Sequence, residues 1–167
     1  MQKYAGDENV AKFTLSIPHP YEDGMAEEWI RSLDRVIDIP SNPGGIRRHQ
    51  EIVFAVVSPN AGHVIGSVGL NVDEGKHETA EIGFWIGKPL WGQSYCTEAA
   101  NAIINVGFET LGLNCTYTNH FVENKASGRV MKKLGMNHEG TLKQRKWKNG
   151  EIKDLEVYPI LKREFKI

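Results

Sequence analysis

The stretch EIGFWIGKPLWGQSYCTEAANAIINVGF, residues 81–108, decides the fold of this chain of 167 residues. It opens with an apolar run, EIGFWIG, which is typical of a buried β-strand. A short loop follows, and apolar residues then recur at helical spacing from about Thr97 to Leu111. Four small residues fill the junction between strand and helix: Gly92, Ser94, Cys96 and Thr97. The segment therefore predicts a strand, a tight loop and a helix.

This junction has two interpretations. Helix N-termini carry unpaired N–H groups and a partial positive charge, so small side chains there let a phosphate approach the backbone. The alternative is a plain turn, in which the hydroxyl of Ser94 or Thr97 caps the helix. The loop alone favours the turn, because such turns are common in α/β domains.

Alternating and periodic apolar patterns predict the other elements. In chain order these are an amphipathic helix (20–37), a loop (40–45), a hairpin (51–58 and 63–73), a third strand (78–87), a fourth strand (115–122), a short helix (124–135) and a terminal hairpin turning at Asn149-Gly150. The third strand, its helix and the fourth strand should form a parallel unit with a right-handed crossover. The sequence thus predicts a mixed α/β sheet with helices on both faces. Ligands of such sheets favour the point where a strand leads into a helix.

Composition limits the class of protein. Apolar residues make up 40% and charged residues 25% of the chain, which suits one globular domain over residues 1–167. The net charge of −1 provides no basic field for nucleic acid or an anionic membrane, and the apolar runs are too short to span a bilayer. Cys96 and Cys115 form neither a disulfide framework nor a metal-ligand spacing. We therefore expect a cytoplasmic protein without a metal.

Three motifs, taken in order, carry a family resemblance. They are GFWIGKPLWGQSYCTEA (83–99), ENKASGRVMKKLGM (123–136) and GTLKQRKWKNGEIKDLEVYPIL (140–161). Together they resemble the GNAT acetyltransferase superfamily, and within it the branch containing the ribosomal-protein N-terminal alanine acetyltransferases. The resemblance implies a GNAT-like, mostly antiparallel sheet. It also implies acetyl transfer from acetyl-CoA to a primary amine, by direct attack in a ternary complex. The family's first strand, usually upstream of the first helix, is missing from the pattern.

The resemblance assigns coenzyme A binding to a defined set of residues. The family's Q/R-x-x-G-x-G/A loop, whose amides hold the diphosphate, aligns with residues 91–96. Ser94 and Cys96 stand where the family prefers glycine or alanine, and a serine there is costly only if its φ must be positive. Weakened cofactor binding is therefore one expectation. The assigned residues are Phe84, Trp85 and Ile86 through their backbone, then Gly92, Gln93, Ser94, Cys96, Thr97 and Asn124.

Two residues are candidates for proton transfer. Attack by an amine requires that it lose a proton, and the leaving thiolate must gain one. Glu81 resembles the family's acidic residue and is the candidate base, directly or through water; a solvated strand-end carboxylate is the alternative. Ser127 is the candidate acid, because Met131 replaces the tyrosine of other branches; a packed surface serine is the alternative. Cys96 near a helix start suggests a lowered pKa, although a packing role is favoured.

The acceptor amine is left open. Within this branch the preferred acceptor is a protein N-terminus, of the ribosomal-protein alanine type. A small amine such as a polyamine, an amino acid or an antibiotic is the alternative, and it would need an acidic pocket. Four acids are available for one, although they also fit an ordinary first helical turn: Glu22, Asp23, Glu27 and Glu28. A non-catalytic acyl-CoA-binding module is a third hypothesis. We expect a monomer or a homodimer.

Overall fold

The computed structural model describes residues 1–33, 50–60, 62–73 and 78–166. Its strands are β1 (Gln50–Val57), β2 (Val64–Val72), β3 (Thr79–Ile86), β4 (Cys115–Phe121), β5 (Gly140–Lys148) and β6 (Glu151–Leu161). Its helices are α1 (Gln2–Ala5), α2 (Glu8–Phe13), α3 (Met25–Leu33), α4 (Tyr95–Asn105) and α5 (Lys125–Lys133). The strands form one sheet in the order β1-β2-β3-β4-β6-β5. Only β3 and β4 are parallel, so the predicted mixed, mostly antiparallel sheet is confirmed.

The two predicted hairpins are both present. β1 pairs antiparallel with β2, and β5 pairs antiparallel with β6. The second hairpin turns at Asn149 and Gly150, whose φ angles are 49° and 82°. Two consecutive positive φ angles are what a tight hairpin turn matching the strand twist requires. The Asn-Gly pair therefore fixed the position of this turn.

Helix α4 packs one apolar side on the sheet. Ile103, Ile104 and Phe108 are almost fully buried, and they share a core with Leu70 of β2 and Ile82 of β3. After α4 the chain continues through a π-helical turn, Val106–Thr110. The helix begins at Tyr95, two residues before the predicted start at Thr97, and this shift matters for the loop described below.

The opposite face of the sheet is covered by the N-terminal segment. Helices α1 and α2 were not predicted as separate elements, and Asp7 caps α2 by accepting a hydrogen bond from the Asn9 amide. Four buried residues form a second, smaller core there: Ala5, Val10, Ala11 and Ile17. Tyr21 and Trp85 pack against that core. Helices therefore cover both faces of the sheet, as predicted.

Parts of the sequence-based prediction lie outside the described residues. The first predicted helix is seen as α3, and its last part up to residue 37 and the loop at 40–45 are not among the described residues. The missing first strand stays a prediction. Within the described ranges, no helix is long and apolar enough to cross a membrane.

Candidate active site

The site begins where the two central strands part. β3 and β4 pair only over Thr79–Glu81 and Cys115–Tyr117. β4 nevertheless stays paired with β6 up to Phe121, and β3 stays paired with β2 up to Ile86. The second half of β3 therefore has one paired edge and one edge that faces a wedge between the strands.

The pairing of β3 with β2 decides which backbone groups reach this wedge. The Asp73 amide donates to the Thr79 carbonyl at one end, and the Gly87 amide donates to the Ile65 carbonyl at the other. In an antiparallel pair, alternate residues direct their N–H and C=O groups to the same neighbour. The backbone of Trp85 therefore bonds β2, whereas the backbones of Phe84 and Ile86 face the wedge. This corrects the expectation that all three offer their backbone to a ligand.

A cleft of about 260 Å³ lies on the α4 side of the wedge. Nearly all residues that the resemblance assigned to the cofactor line this cleft, together with the candidate acid: Phe84, Trp85, Ile86, Gly92, Ser94, Cys96, Thr97, Asn124 and Ser127. Gln93 is not among the lining residues. Its side-chain amide donates to the Pro89 carbonyl at 3.3 Å and braces the loop, so its contact with a cofactor stays a prediction.

The loop that enters α4 holds two residues in the left-handed region. Gly92 has φ = 78° and Ser94 has φ = 68°. Ser94 therefore meets the condition under which a Cβ atom is costly, by roughly 1 kcal/mol. Its side chain makes no capping hydrogen bond, so the expectation that the Ser94 or Thr97 hydroxyl caps the helix is wrong. Trp91 anchors the loop instead, because its indole N–H donates to the Ile86 carbonyl at 2.6 Å.

The start of α4 offers its amides to the cleft. The first helical hydrogen bond there runs from the Glu98 amide to the Ser94 carbonyl at 3.0 Å. The amides of residues 95–97 precede that bond and have no partner within the helix. Together with the helix dipole they form a site suited to an anion.

Two cations on α5 also line the smaller cleft. Arg129 and Lys133 stand four residues apart, which places them on one side of the helix. The sequence analysis did not assign them to the site, although their spacing after the ENKAS stretch was visible. Their positive charge agrees with a ligand that carries phosphate groups.

Cys96 is half-buried and lines this cleft. Burial raises the pKa of its thiol to about 12, because the charged thiolate would lose its hydration. The helix start does not lower the pKa of this group, so a reactive Cys96 thiolate is not supported.

Asn124 and Ser127 are coupled at the start of α5. The Asn124 side-chain oxygen Oδ1 accepts from the Ser127 backbone amide at 3.3 Å, which confirms Asn124 as the helix cap. The Asn124 side-chain N–H donates to the Ser127 hydroxyl oxygen at 2.9 Å. In the described part of the chain this hydroxyl makes no other hydrogen bond, so its proton is available for donation.

A second cleft, of about 650 Å³, lies between the N-terminal segment and the sheet. It contains Glu81, whose carboxylate accepts a hydrogen bond from the side-chain N–H of Asn119 on β4 at 2.5 Å. Asn119 could not be identified from the sequence, because this contact depends on how β3 and β4 are aligned. Six residues line both clefts, so the two spaces meet there: Phe13, Thr14, Phe84, Trp85, Asn124 and Ser127.

The two clefts differ in charge. Among the described residues, the larger cleft is lined by the carboxylates of Glu51 and Glu81, by Met1, and by no lysine or arginine. The acids proposed for an amine pocket from the sequence line neither cleft and are exposed on or just before α3: Glu22, Asp23, Glu27 and Glu28. Glu27 and Glu28 lie in the first turn of α3, as the helix-start interpretation expects, whereas Glu22 and Asp23 precede the helix.

The comparisons with known proteins agree with this architecture. A family model described as an acetyltransferase (GNAT) domain matches residues 1–137. The uncharacterized N-acetyltransferase YoaA of Bacillus subtilis is 35% identical over 99 residues, which are 59% of this chain and 56% of that protein. The ribosomal-protein-serine acetyltransferase of Escherichia coli is 30% identical over 95 residues, 57% of this chain and 53% of that protein. The matched region thus spans little more than half the length of these two relatives.

Solved structures share the fold over nearly the whole chain. The acetyltransferase (GNAT family) of Bacillus anthracis has a TM-score of 0.77 at 26% identity, over 98% of this chain and 88% of that one. The spermidine N-acetyltransferase of Vibrio cholerae, in complex with CoA and spermine, has a TM-score of 0.75 at 21% identity, over 98% and 88% of the two chains. At that lower identity the likeness concerns the fold alone.

Proposed function

Since the chain belongs to the GNAT acetyltransferase family, we propose that it transfers an acetyl group from acetyl-CoA to a primary amine. One observation carries the proposal: a cleft lined by helix amides and cations meets a cleft lined by carboxylates at Phe84 and Ser127. An anionic donor and a cationic acceptor would thus meet where the two clefts join.

The smaller cleft would hold the donor. Its residues fit coenzyme A, because the amides of residues 95–97, Arg129 and Lys133 can receive phosphate groups without a metal. The wedge-facing backbones of Phe84 and Ile86 would hold the extended arm of the cofactor through main-chain hydrogen bonds. When bound, acetyl-CoA supplies the acetyl group as an activated thioester.

The larger cleft would hold the acceptor. Glu81 and Phe84 are three residues apart on β3, which is about 10 Å along a strand. Glu81 would therefore take the proton of the ammonium group through water. Asn119 fixes the carboxylate of Glu81 for this role. Ser127, whose hydroxyl oxygen already accepts from Asn124, would donate its proton to the leaving sulfur.

The geometry favours direct attack over a covalent acyl-enzyme. Cys96 is the one cysteine among the residues that line the smaller cleft, and burial raises its thiol pKa to about 12. Little nucleophilic thiolate would exist near neutral pH. Both substrates would therefore bind together before the acetyl group moves, and initial rates should show the intersecting pattern of a ternary complex.

Two acceptor classes are compatible with this proposal. A protein N-terminus is supported by the E. coli ribosomal-protein-serine acetyltransferase among the relatives. A small amine is supported by the carboxylates of the larger cleft and by the N-terminal segment that lines it, including Phe13 and Tyr21. We place the protein in the cytoplasm, in agreement with its two free cysteines, and expect a monomer or homodimer, which gel filtration at several concentrations would determine.

A thiol-release assay with acetyl-CoA and a panel of amines tests the activity. We expect release that depends on the amine, and a roughly tenfold lower kcat for Ser127→Ala. Full turnover by Ser127→Ala would make water the proton donor. Binding of coenzyme A without release for any amine or N-terminal peptide would instead indicate an acyl-CoA-binding module. The strained backbone of Ser94 in the cofactor loop is the observation that motivates this alternative.

A further inference from the structure

Two glycines form the floor of the larger cleft. Gly69 of β2 and Gly83 of β3 stand directly opposite each other in the sheet, and both line this cleft. A Cβ atom added at Gly83 would have no heavy atom within 4 Å, so the space above this residue is open. The Gly83 backbone has no positive φ, so neither backbone conformation nor a neighbouring atom of the protein excludes a side chain here. At Gly69 a Cβ atom would meet the Ile52 carbonyl oxygen at 2.7 Å, so the open space is a slot centred on Gly83.

Side chains of β3 stand at both ends of this slot. Glu81 and Trp85 each lie two residues from Gly83, and alternate strand residues face the same side of a sheet. The slot therefore runs about 13 Å along β3, from a carboxylate to an indole ring. Asn119 donates a hydrogen bond to one carboxylate oxygen of Glu81. Within the described residues Glu81 forms no ion pair, so its charge is available to a cationic group.

The wall above the slot is apolar. It comes from the N-terminal segment and includes Leu15, Ile17, Pro18 and Tyr21. Leu15 is 43% exposed, which is high for a large apolar side chain that borders a cleft. An apolar ligand body placed over Gly83 would cover this surface, whereas a peptide would have to pair its backbone N–H and C=O groups with polar residues elsewhere in the cleft, such as Asn71 and Thr118.

We infer that the acceptor is a small primary amine joined by a short linker to an apolar, ring-sized body that lies over Gly83, between Glu81 and Trp85. The inference rests on the proposed function, because it places the amine in the acceptor cleft of that reaction. Its amine reaches the point where the clefts meet, its ring contacts the apolar wall, and its charge lies within the field of the carboxylates. Gly83 is then the residue that determines the size of the acceptor.

Binding of model amines to the protein with coenzyme A bound tests this directly, because coenzyme A has no acetyl group to transfer. The probes are 2-phenylethylamine, ethylamine and an alanyl tetrapeptide, measured by isothermal titration calorimetry. We expect 2-phenylethylamine to bind about tenfold more tightly than ethylamine, since it buries an additional ring. The tetrapeptide should bind more weakly than 2-phenylethylamine.

Substitution of the slot floor provides the second part of the test. Gly83→Val should weaken 2-phenylethylamine about tenfold or more and leave ethylamine and coenzyme A within about twofold, because it fills only the slot. Gly83→Ala should give a smaller change in the same direction. Gly140→Val is the matched control, since Gly140 also lies in a strand, has no positive φ and has open space at its Cβ position, yet lines neither cleft.

The inference is overturned if ethylamine binds as tightly as 2-phenylethylamine, if the tetrapeptide binds more tightly than both, or if Gly83→Val and Gly140→Val behave alike. Thermal unfolding of each variant verifies that it is folded. The binding and unfolding measurements do not depend on turnover. Absence of acetyl transfer in the thiol-release assay would refute the proposed function, whereas equal binding of the two amines would refute only the acceptor class.

Discussion

The two clefts arise from one structural feature but are built by different means. The smaller cleft depends on backbone geometry: a loop with Gly92 and Ser94 at positive φ leads into a helix whose first amides are unpaired. The larger cleft depends on sheet register, which aligns Glu81 with Asn71 and Gly83 with Gly69. Because β3 and β4 part after Glu81, the two spaces meet within the sheet. The parting of two strands thus produces adjoining compartments of opposite charge.

If the larger cleft supplies the base, Glu81→Gln should have the largest effect. We expect kcat to fall about 100-fold or more, because the amide cannot accept a proton. The dissociation constant of coenzyme A should stay within about twofold, since Glu81 is absent from the smaller cleft. Glu28→Gln is the control, because Glu28 is exposed and lines neither cleft. An unchanged kcat of Glu81→Gln across the pH range would remove Glu81 from the mechanism.

The smaller cleft should also contain an unreactive thiol. A folded-state pKa near 12 keeps Cys96 protonated from pH 7 to 9, whereas unfolding restores an ordinary thiol pKa. Alkylation of Cys96 by iodoacetamide at pH 8 should therefore be about 100-fold slower in the native protein than in guanidinium chloride. Mass spectrometry of the labelled peptides measures this rate. The raised pKa also favours the folded state below pH 8, and this contribution should decline as pH rises toward 12. Fast labelling of native Cys96 would contradict the packing role.

The cations of the smaller cleft should affect the binding of the acetyl donor and leave the chemical step almost unchanged. Replacement of both Arg129 and Lys133 by alanine should weaken coenzyme A binding about fivefold to tenfold at low salt, and less at high salt. The kcat at saturating acetyl-CoA should change little. Lys132→Ala is the matched control, because Lys132 is on the same helix but lines neither cleft. Equal effects of Lys132 and Lys133 substitutions would show that the helix charge acts non-specifically.

The smallest expected effect concerns the loop itself. Ser94→Gly removes a Cβ atom from a residue with φ = 68° and should raise the free energy of unfolding by about 0.5 kcal/mol, because relief of strain is partly offset by the entropy of glycine. Coenzyme A should bind up to about threefold more tightly. Ser94→Ala, which keeps the Cβ atom, serves as the comparison. Identical affinities for wild type and Ser94→Gly would show that serine fits the binding geometry.

The elements that carry strong local signals were predictable from the sequence. Asn149-Gly150 located the terminal hairpin, and the spacing of Ile103, Ile104 and Phe108 located the buried side of α4. The predicted start of α4 was two residues too late, because the sequence does not indicate that Ser94 adopts a left-handed conformation.

Features that depend on tertiary placement were not predictable. The hydrogen bond between Asn119 and Glu81 joins residues 38 positions apart and exists only in the observed register of β3 and β4. The position of Arg129 beside the smaller cleft depends on how α5 packs. The direction of the Trp85 backbone groups toward β2 likewise follows from the register of β2 and β3, which the sequence does not specify.

The assignment of donor and acceptor to separate clefts is tested most directly by a crystal structure with coenzyme A bound. The diphosphate should lie within hydrogen-bonding distance of the amides of residues 92–97, with the sulfur beside Ser127 and Phe84. The larger cleft, with Glu81 and Gly83, should then remain open. Coenzyme A seated in the larger cleft, or bound away from the loop that enters α4, would contradict the account.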